Sequence, residues 1–258
     1  MENKNIVVVG YPKSGTTWAS SLVAELLDCP LIGDWGFDHI VADFKEGQSR
    51  TSNYKCYKSH HTFETIAKAS SQPIHKIIYI VRDPRDIVIS GVHYFNFLPK
   101  SLSFLRDVQW GSLGKQVRKL SARLVSKNNK KQQMIEAVLY GNASVNQWLE
   151  TKWSEHYKSY HTAGVTIIRY EDLLEDTEAS CLSICKALEI EISQEHLRKS
   201  IQNQSFEHKK KQAVTQRHQY LDKLMRTGKS GNWETEFSTE IVALFKKEFS
   251  ESREYYQF

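Results

Sequence analysis

Hydrophobic positions along the chain follow two rhythms. Short unbroken runs rich in β-branched residues, Ile6–Val9, Lys76–Val81 ("KIIYIV") and Val165–Tyr170 ("VTIIRY"), read as strands buried on both faces. After each run, apolar residues return at helical spacing. Trp18, Leu22, Leu26 and Leu27 follow the first, "RDPRDIVISGVHYF" the second and "EDLLEDTEASCLSICKALEI" the third. In the second, Asp83 is placed to cap a helix and Pro84 to open it. Strands alternating with helices predict an α/β fold, a central, mainly parallel sheet flanked by helices, with ligands gathered at the carboxyl ends of the strands.

No internal repeat or proline-rich linker divides the chain, so its 258 residues are expected to form a single domain, residues 1–258. One segment stands apart. Lys115–Lys131 holds seven Lys or Arg and no acidic residue. It predicts a basic, lid-like face around residues 112–133, either solvated or attractive to an anionic ligand.

Composition narrows the class of protein. Hydrophobic residues are 40% and charged residues 25%, the balance of an ordinary globular chain. No apolar run approaches the length of a membrane span, and "MENKNIVVVG" does not read as a leader, so a cytoplasmic location is expected. Cys29, Cys56, Cys181 and Cys185 lack paired zinc-site spacing and read as core thiols, so no metal site is expected. A net charge of +5 is modest and calls for no nucleic-acid partner.

The chemistry begins at "GYPKSGTTW", Gly10–Trp18. Gly10 and Gly15 have the spacing of a phosphate-binding loop, but Thr16 stands where such loops carry lysine, and a different lysine, Lys13, lies inside the turn. Backbone N–H groups at a helix N-terminus still make an anion site. The case for a nucleoside triphosphate with Mg²⁺ is weaker, because there the missing lysine and the metal share the phosphate charge. Lys13 is instead placed to stabilise charge on a bridging oxygen as a bond breaks.

The stretch "YPKSGTTW" resembles the 5′-phosphosulfate loop of the cytosolic-type sulfotransferases, which use 3′-phosphoadenosine 5′-phosphosulfate (PAPS). Four further segments follow in the order of that family. "YIVRDPRDIVISGVHYF" resembles its 3′-phosphate segment and implies that Arg82 and Ser90, eight residues apart, hold that phosphate. "IIRYEDLLED" places Tyr170 near the adenine. "QNQSFEHKK" places Ser205 and Phe206 at the nucleotide, and "MRTGKSGNW" places Arg226, Thr227 and Gly228 at the 3′-phosphate. "VLYGNASVNQW", Val138–Trp148, is similar to a family helix. The resemblance implies a P-loop-containing, sulfotransferase-like three-layer fold. It also implies a donor site built from Lys13, Ser14, Gly15, Thr16, Thr17, Trp18 and the residues just named.

"CYKSHHTF" resembles the family's Lys-Thr-His segment, implying His60 as general base and Lys58 as stabiliser of the sulfonate oxygens, with Lys13 on the leaving nucleotide. Histidine suits proton removal, with an unperturbed pKa of ~6.5. His61 is adjacent, and on extended chain neighbouring side chains point to opposite sides, so only one of the two faces the acceptor. Ser14, by the same resemblance, restrains Lys13 until the acceptor binds. The implied enzyme moves a sulfuryl group from PAPS to a hydroxyl or amine of a small molecule, releases adenosine 3′,5′-bisphosphate (PAP), and uses no metal. Being short beside the animal enzymes, it is expected to serve bacterial specialised metabolism.

Departures from the family pattern are specific. Thr227 stands where lysine is usual, Gln204 replaces a threonine, and "ETEFSTEIVALF" lacks the usual dimer motif, so the oligomeric state is left open. The acceptor pocket is expected from Trp35–Phe44, His93–Trp110 and the region of Tyr140, with Trp35, Phe37, Tyr94, Phe95, Phe97 and Trp110 as walls and Asp34, Asp38, His39 and Asp43 as polar groups. Two rival readings are a P-loop small-molecule kinase, using Asp83 or Asp86 for Mg²⁺, and a nucleotide-binding scaffold without catalysis.

Overall fold

A computed structural model describes residues 4–36, 45–69, 72–99, 125–215 and 228–250. Contacts within the chain gather into two compact units, residues 1–82 with 157–230, and residues 83–156 with 231–258. The first unit carries the sheet. Its strands are β1 (Lys4–Gly10), β2 (Leu31–Asp34), β3 (Tyr54–Ser59), β4 (Ile74–Val81) and β5 (Thr166–Arg169), in the spatial order β2-β3-β1-β4-β5. All four pairings are parallel. Parallel neighbours need crossover connections, and α1 (Thr16–Leu26) and α2 (Phe63–Lys68) lie in two of them.

The strand runs are apolar throughout because both faces of the sheet are covered. On one face Ile6, Val8, Cys56, Ile78, Ile80 and Ile168 pack with residues of α1, such as Leu22 and Val23, and of further helices of the unit, such as Cys181 and Leu197. On the other, Tyr79 stacks against Tyr160 at 4.8 Å and lies 5.9 Å from Tyr157, while Phe63 meets Tyr160 edge-on. The result is helix, sheet, helix: the parallel sheet flanked by helices that the alternation predicted, in the three layers that the resemblance implied. All four cysteines are buried and free, and burial pushes the Cys29 and Cys181 thiols up to about 12.

The second unit opens with α3 (Pro84–Tyr94). As its sequence predicts, Asp83 caps the helix by accepting from Arg85 N at 2.8 Å, and Pro84 occupies the first turn. The helix α4 (Lys127–Tyr140) packs on α3, with Gly91 against Met134. The sequence extended a helix through "VLYGNASVNQW", but α4 stops at Tyr140. Gly141 has φ 80°, and a Cβ there would meet the Glu150 carbonyl oxygen at 2.1 Å. Of the basic segment, residues 115–124 lie outside the described part. Lys127 and Lys131, at the start of α4, both pair with Glu236.

Candidate functional site

The phosphate-type loop joins β1 to α1. Lys13 takes a left-handed φ of 74° and Gly15 one of 88°, and Ser14 N closes the turn on the Tyr11 carbonyl at 3.0 Å. The glycines are required by close approach. A Cβ on Gly10 would lie 2.6 Å from Thr16 Oγ1 and 2.8 Å from the Ile80 carbonyl, and one on Gly15 would lie 2.5 Å from the Tyr170 ring. No side chain caps α1. Its leading N–H groups are therefore left for an anion, and the helix dipole adds to the attraction. Ser14 Oγ and Thr16 Oγ1 are buried without a hydrogen-bond partner, so Ser14 makes no hydrogen bond to Lys13 here. Orphaned buried hydroxyls are costly in a folded protein, and beside an uncapped helix N-terminus these two suit a polar ligand.

Arg82, directly after β4, ties remote segments to this loop. One terminal nitrogen donates to the Lys13 carbonyl at 3.1 Å, the other to the Lys229 carbonyl at 3.2 Å, and the guanidinium lies 4.3 Å over the Tyr170 ring. Its Nε is buried and unpartnered. An ion pair with the neighbouring acids is the ordinary fate of such an arginine, but Asp83 is gripped by Arg85 through three side-chain contacts of 2.6–3.1 Å. Asp86 accepts from Gly231 N and Trp233 N. Those engagements also take up the two carboxylates on which a kinase reading depends.

Tyr170 sits between Arg82 and Trp18, meeting the indole edge-on at 6.0 Å. Trp18 Nε1 donates to the Gln204 carbonyl at 2.8 Å, which fixes the corner that carries Ser205 and Phe206. Phe206 packs against Gly228, where φ is 59° and a Cβ would come within 2.6 Å of the ring. Ser205 Oγ accepts from His208 N at 3.3 Å and so caps the helix that follows. The Gln204 amide donates to Glu25 and Glu46 at 3.3 Å each. Burial alone would raise the Glu46 carboxyl, but the Lys209 ammonium against it wins and holds it below the usual range. Sequence reading marked Gln204 only as a departure; its backbone is what anchors Trp18.

The catalytic candidates stand at the carboxyl end of β3. His60 Nδ1 lies 2.8 Å from the Gly10 carbonyl oxygen. A carbonyl only accepts, so Nδ1 carries the proton in this contact, and a neutral ring keeps its lone pair on Nε2. Lys58 is buried, with Nζ 3.7 Å from Asp34 Oδ1. His61 is anchored differently: its N–H donates to Ser59 Oγ and its carbonyl accepts from the Tyr160 hydroxyl at 2.6 Å. Half-burial pushes its imidazole pKa down, against a weaker upward pull from Asp34.

Lys13, Ser14, Gly15, Thr16, Thr17, Trp18, Lys58, His60, Arg82, Tyr170, Ser205, Phe206 and Gly228 all belong to the first unit, while Ser90 lies on α3 in the second. Arg226 and Thr227 lie outside the described residues, as do Phe37, Asp38, His39, Asp43 and Trp110. Trp35 is core rather than pocket wall. It is 2% exposed, its Nε1 donates to the Ile66 carbonyl, and its ring meets Tyr57. Phe95 and Phe97 are likewise buried. A cavity of about 640 Å³ lined by Ile66, Pro73, His75 and Val165 sits at the amino ends of β4 and β5, the opposite end of the sheet from these groups. Among the described residues, no cluster of three or more His, Cys, Asp or Glu has metal-site geometry, and no helix is long and apolar enough to cross a membrane.

The model of the "Sulfotransferase domain" family matches residues 3–256. A 3-alpha-hydroxysteroid sulfotransferase of Cavia porcellus is 25% identical over 271 residues, covering 97% of this chain and 84% of the relative. Among solved structures, mouse sulfotransferase SULT7A1 complexed with PAP superposes with a TM-score of 0.66 at 20% identity, over 98% of this chain and 84% of that one. Retinol dehydratase in complex with androsterone and inactive cofactor PAP superposes with a TM-score of 0.63 at 17% identity, over 100% of this chain and 83% of that one.

Proposed function

The chain belongs to the sulfotransferase domain family, and from that premise we propose that it moves a sulfuryl group from PAPS to a hydroxyl or amine of a small-molecule acceptor, releasing PAP. One observation carries the reading. Ser14 Oγ, Thr16 Oγ1 and Arg82 Nε, all buried, have no protein partner around a loop that holds its own lysine. They stand beside a helix N-terminus that no side chain caps, so the residues present fit a ligand with anionic groups, as a nucleotide with 5′ and 3′ anionic groups has. That the two superposed structures hold PAP supports the same ligand class, and androsterone in one of them supports a small-molecule acceptor.

In this reading the loop amides, Ser14, Thr16 and Thr17 hold the 5′ end of the donor. Arg82, Ser90, Arg226, Thr227 and Gly228 hold the 3′-phosphate, and Trp18, Tyr170, Ser205 and Phe206 the adenosine. The acceptor oxygen or nitrogen attacks sulfur as the bond from sulfur to the bridging phosphate oxygen breaks. The acceptor's proton passes to His60 Nε2, made available because the Gly10 carbonyl holds Nδ1–H. Lys58 balances the sulfonate oxygens and Lys13 the charge arriving on the leaving phosphate. Preplaced cations of this kind do their work where charge develops.

Thermal denaturation distinguishes the nucleotides that the site accepts. PAP at a hundredfold excess over its Kd is expected to stabilise the fold by about 2.7 kcal/mol, while ATP with Mg²⁺ does much less. Stabilisation by ATP with Mg²⁺ and none by PAP would sink the sulfotransferase reading in favour of a kinase.

A further inference from the structure

The edge strand β2 pairs with β3 out of step. Leu31 lies opposite Cys56, yet Gly33 lies opposite Tyr57 and Asp34 opposite Lys58, so two residues of β2 occupy one step of β3. Gly33 absorbs the irregularity with φ 138°, a conformation that favours glycine. Because side chains alternate across a strand, this extra residue decides which face Asp34 uses. In unbroken register Asp34 would fall opposite Ser59. With the bulge it falls opposite Lys58, and its carboxylate comes to 3.7 Å from Nζ. Bulges next to functional sites re-aim side chains in this way.

The pair is built rather than incidental. Lys58 and Asp34 side chains are only 5% and 16% exposed, and an ammonium buried to that degree requires counter-charge. The chain just beyond Asp34 is clamped: Trp35 N donates to the Lys58 carbonyl at 2.9 Å, and the indole is fixed to Ile66. Asp34 is therefore held where it is by backbone and core. At 3.7 Å the contact is an ion pair beyond hydrogen-bond length.

We propose that Asp34 is the positioning residue for Lys58, holding its ammonium at the end of β3 in readiness for the sulfonate of the donor. The inference rests on the reading of Lys58 as the sulfonate-facing cation. Asp34 touches no reacting atom in this account; it acts through Lys58, and its signature is discrimination between PAPS, which has the sulfonate, and PAP, which lacks it.

Calorimetric titration with PAP and with PAPS, each alone, tests this on the wild-type protein, Asp34→Asn, Lys58→Ala, the double variant and Asp34→Glu. PAP affinity is expected to stay within about twofold throughout. PAPS affinity falls roughly tenfold in Asp34→Asn and in Lys58→Ala, the scale of one hydrogen bond to a charged group. The double variant loses no more than Lys58→Ala, and Asp34→Glu recovers most of the loss. Losses that multiply in the double variant, or wild-type PAPS affinity in Asp34→Asn, would overturn the proposal. An equal loss of PAP and PAPS in Asp34→Asn would show a merely structural carboxylate. If Lys58→Ala itself kept full PAPS affinity, the reading of Lys58 would fall, and Asp34's role with it.

Discussion

His60 and His61 are the same side chain on adjacent residues, and their surroundings separate them. The His60 ring meets the carbonyl of Gly10, a residue of the phosphate-type loop, while His61 is held through its backbone by Ser59 and Tyr160. His60→Ala is expected to lower kcat by about 10²- to 10⁴-fold, the range for losing a positioned base, with PAP affinity nearly unchanged. Equal kcat in the variant would move the base elsewhere. His61 acts on stability. Its folded pKa is depressed by burial, so the neutral form is favoured in the fold, and stability is full above the unfolded value of ~6.5 and declines as pH falls through it. His61→Gln should accordingly flatten the loss of melting temperature between pH 7 and pH 5; an unaltered slope would show that other groups dominate. Sequence reading reached His60 through the resemblance, and the tautomer-fixing carbonyl became visible only in the fold, because Gly10 and His60 are fifty residues apart, at the ends of the neighbouring strands β1 and β3.

Among the elements, the join of β1 to α1 was legible because its parts are local: a β-branched run, two glycines and a helix-spaced stripe. Its tight fit against Tyr170 was not, since that contact spans the sheet. Gly15→Ala puts a methyl into the Tyr170 ring and forces a left-handed φ on alanine, so kcat/KM for PAPS is expected to fall about 10²-fold, the cost of misplacing a site by an ångström. An unchanged value would mean that the loop tolerates the shift. The strand β2 escaped sequence reading altogether. It is four residues long and contains the register shift, so neither alternation nor an apolar run announces it. The sequence places Asp34 among the polar groups of the acceptor pocket and Trp35 in its wall; in the fold Asp34 faces Lys58, and Trp35 fills the core.

On the scale of the molecule, the candidate site residues described between Gly10 and Lys229, Ser90 of α3 apart, belong to the first unit, where the loop, Lys58, His60 and Arg82 stand at the carboxyl ends of parallel strands. Alternation of strand and helix predicted that geometry, and the likeness to the superposed structures persists at 17–20% identity. Net positive charge was less informative. Lys127 and Lys131 of the basic segment share Glu236 in a partly exposed cluster, and such pairs contribute little. Glu236→Gln should change unfolding free energy by less than about 1 kcal/mol in denaturant titration; a larger loss would make this cluster structural.

The central claim, sulfuryl transfer from PAPS, is met most directly by high-resolution mass spectrometry of acceptor pools of phenols, alcohols and amines incubated with the protein and PAPS. The account predicts a product heavier by SO₃, formed together with PAP, with wild-type protein and not with His60→Ala. A product heavier by HPO₃ when ATP and Mg²⁺ replace PAPS, with none from PAPS itself, would contradict it.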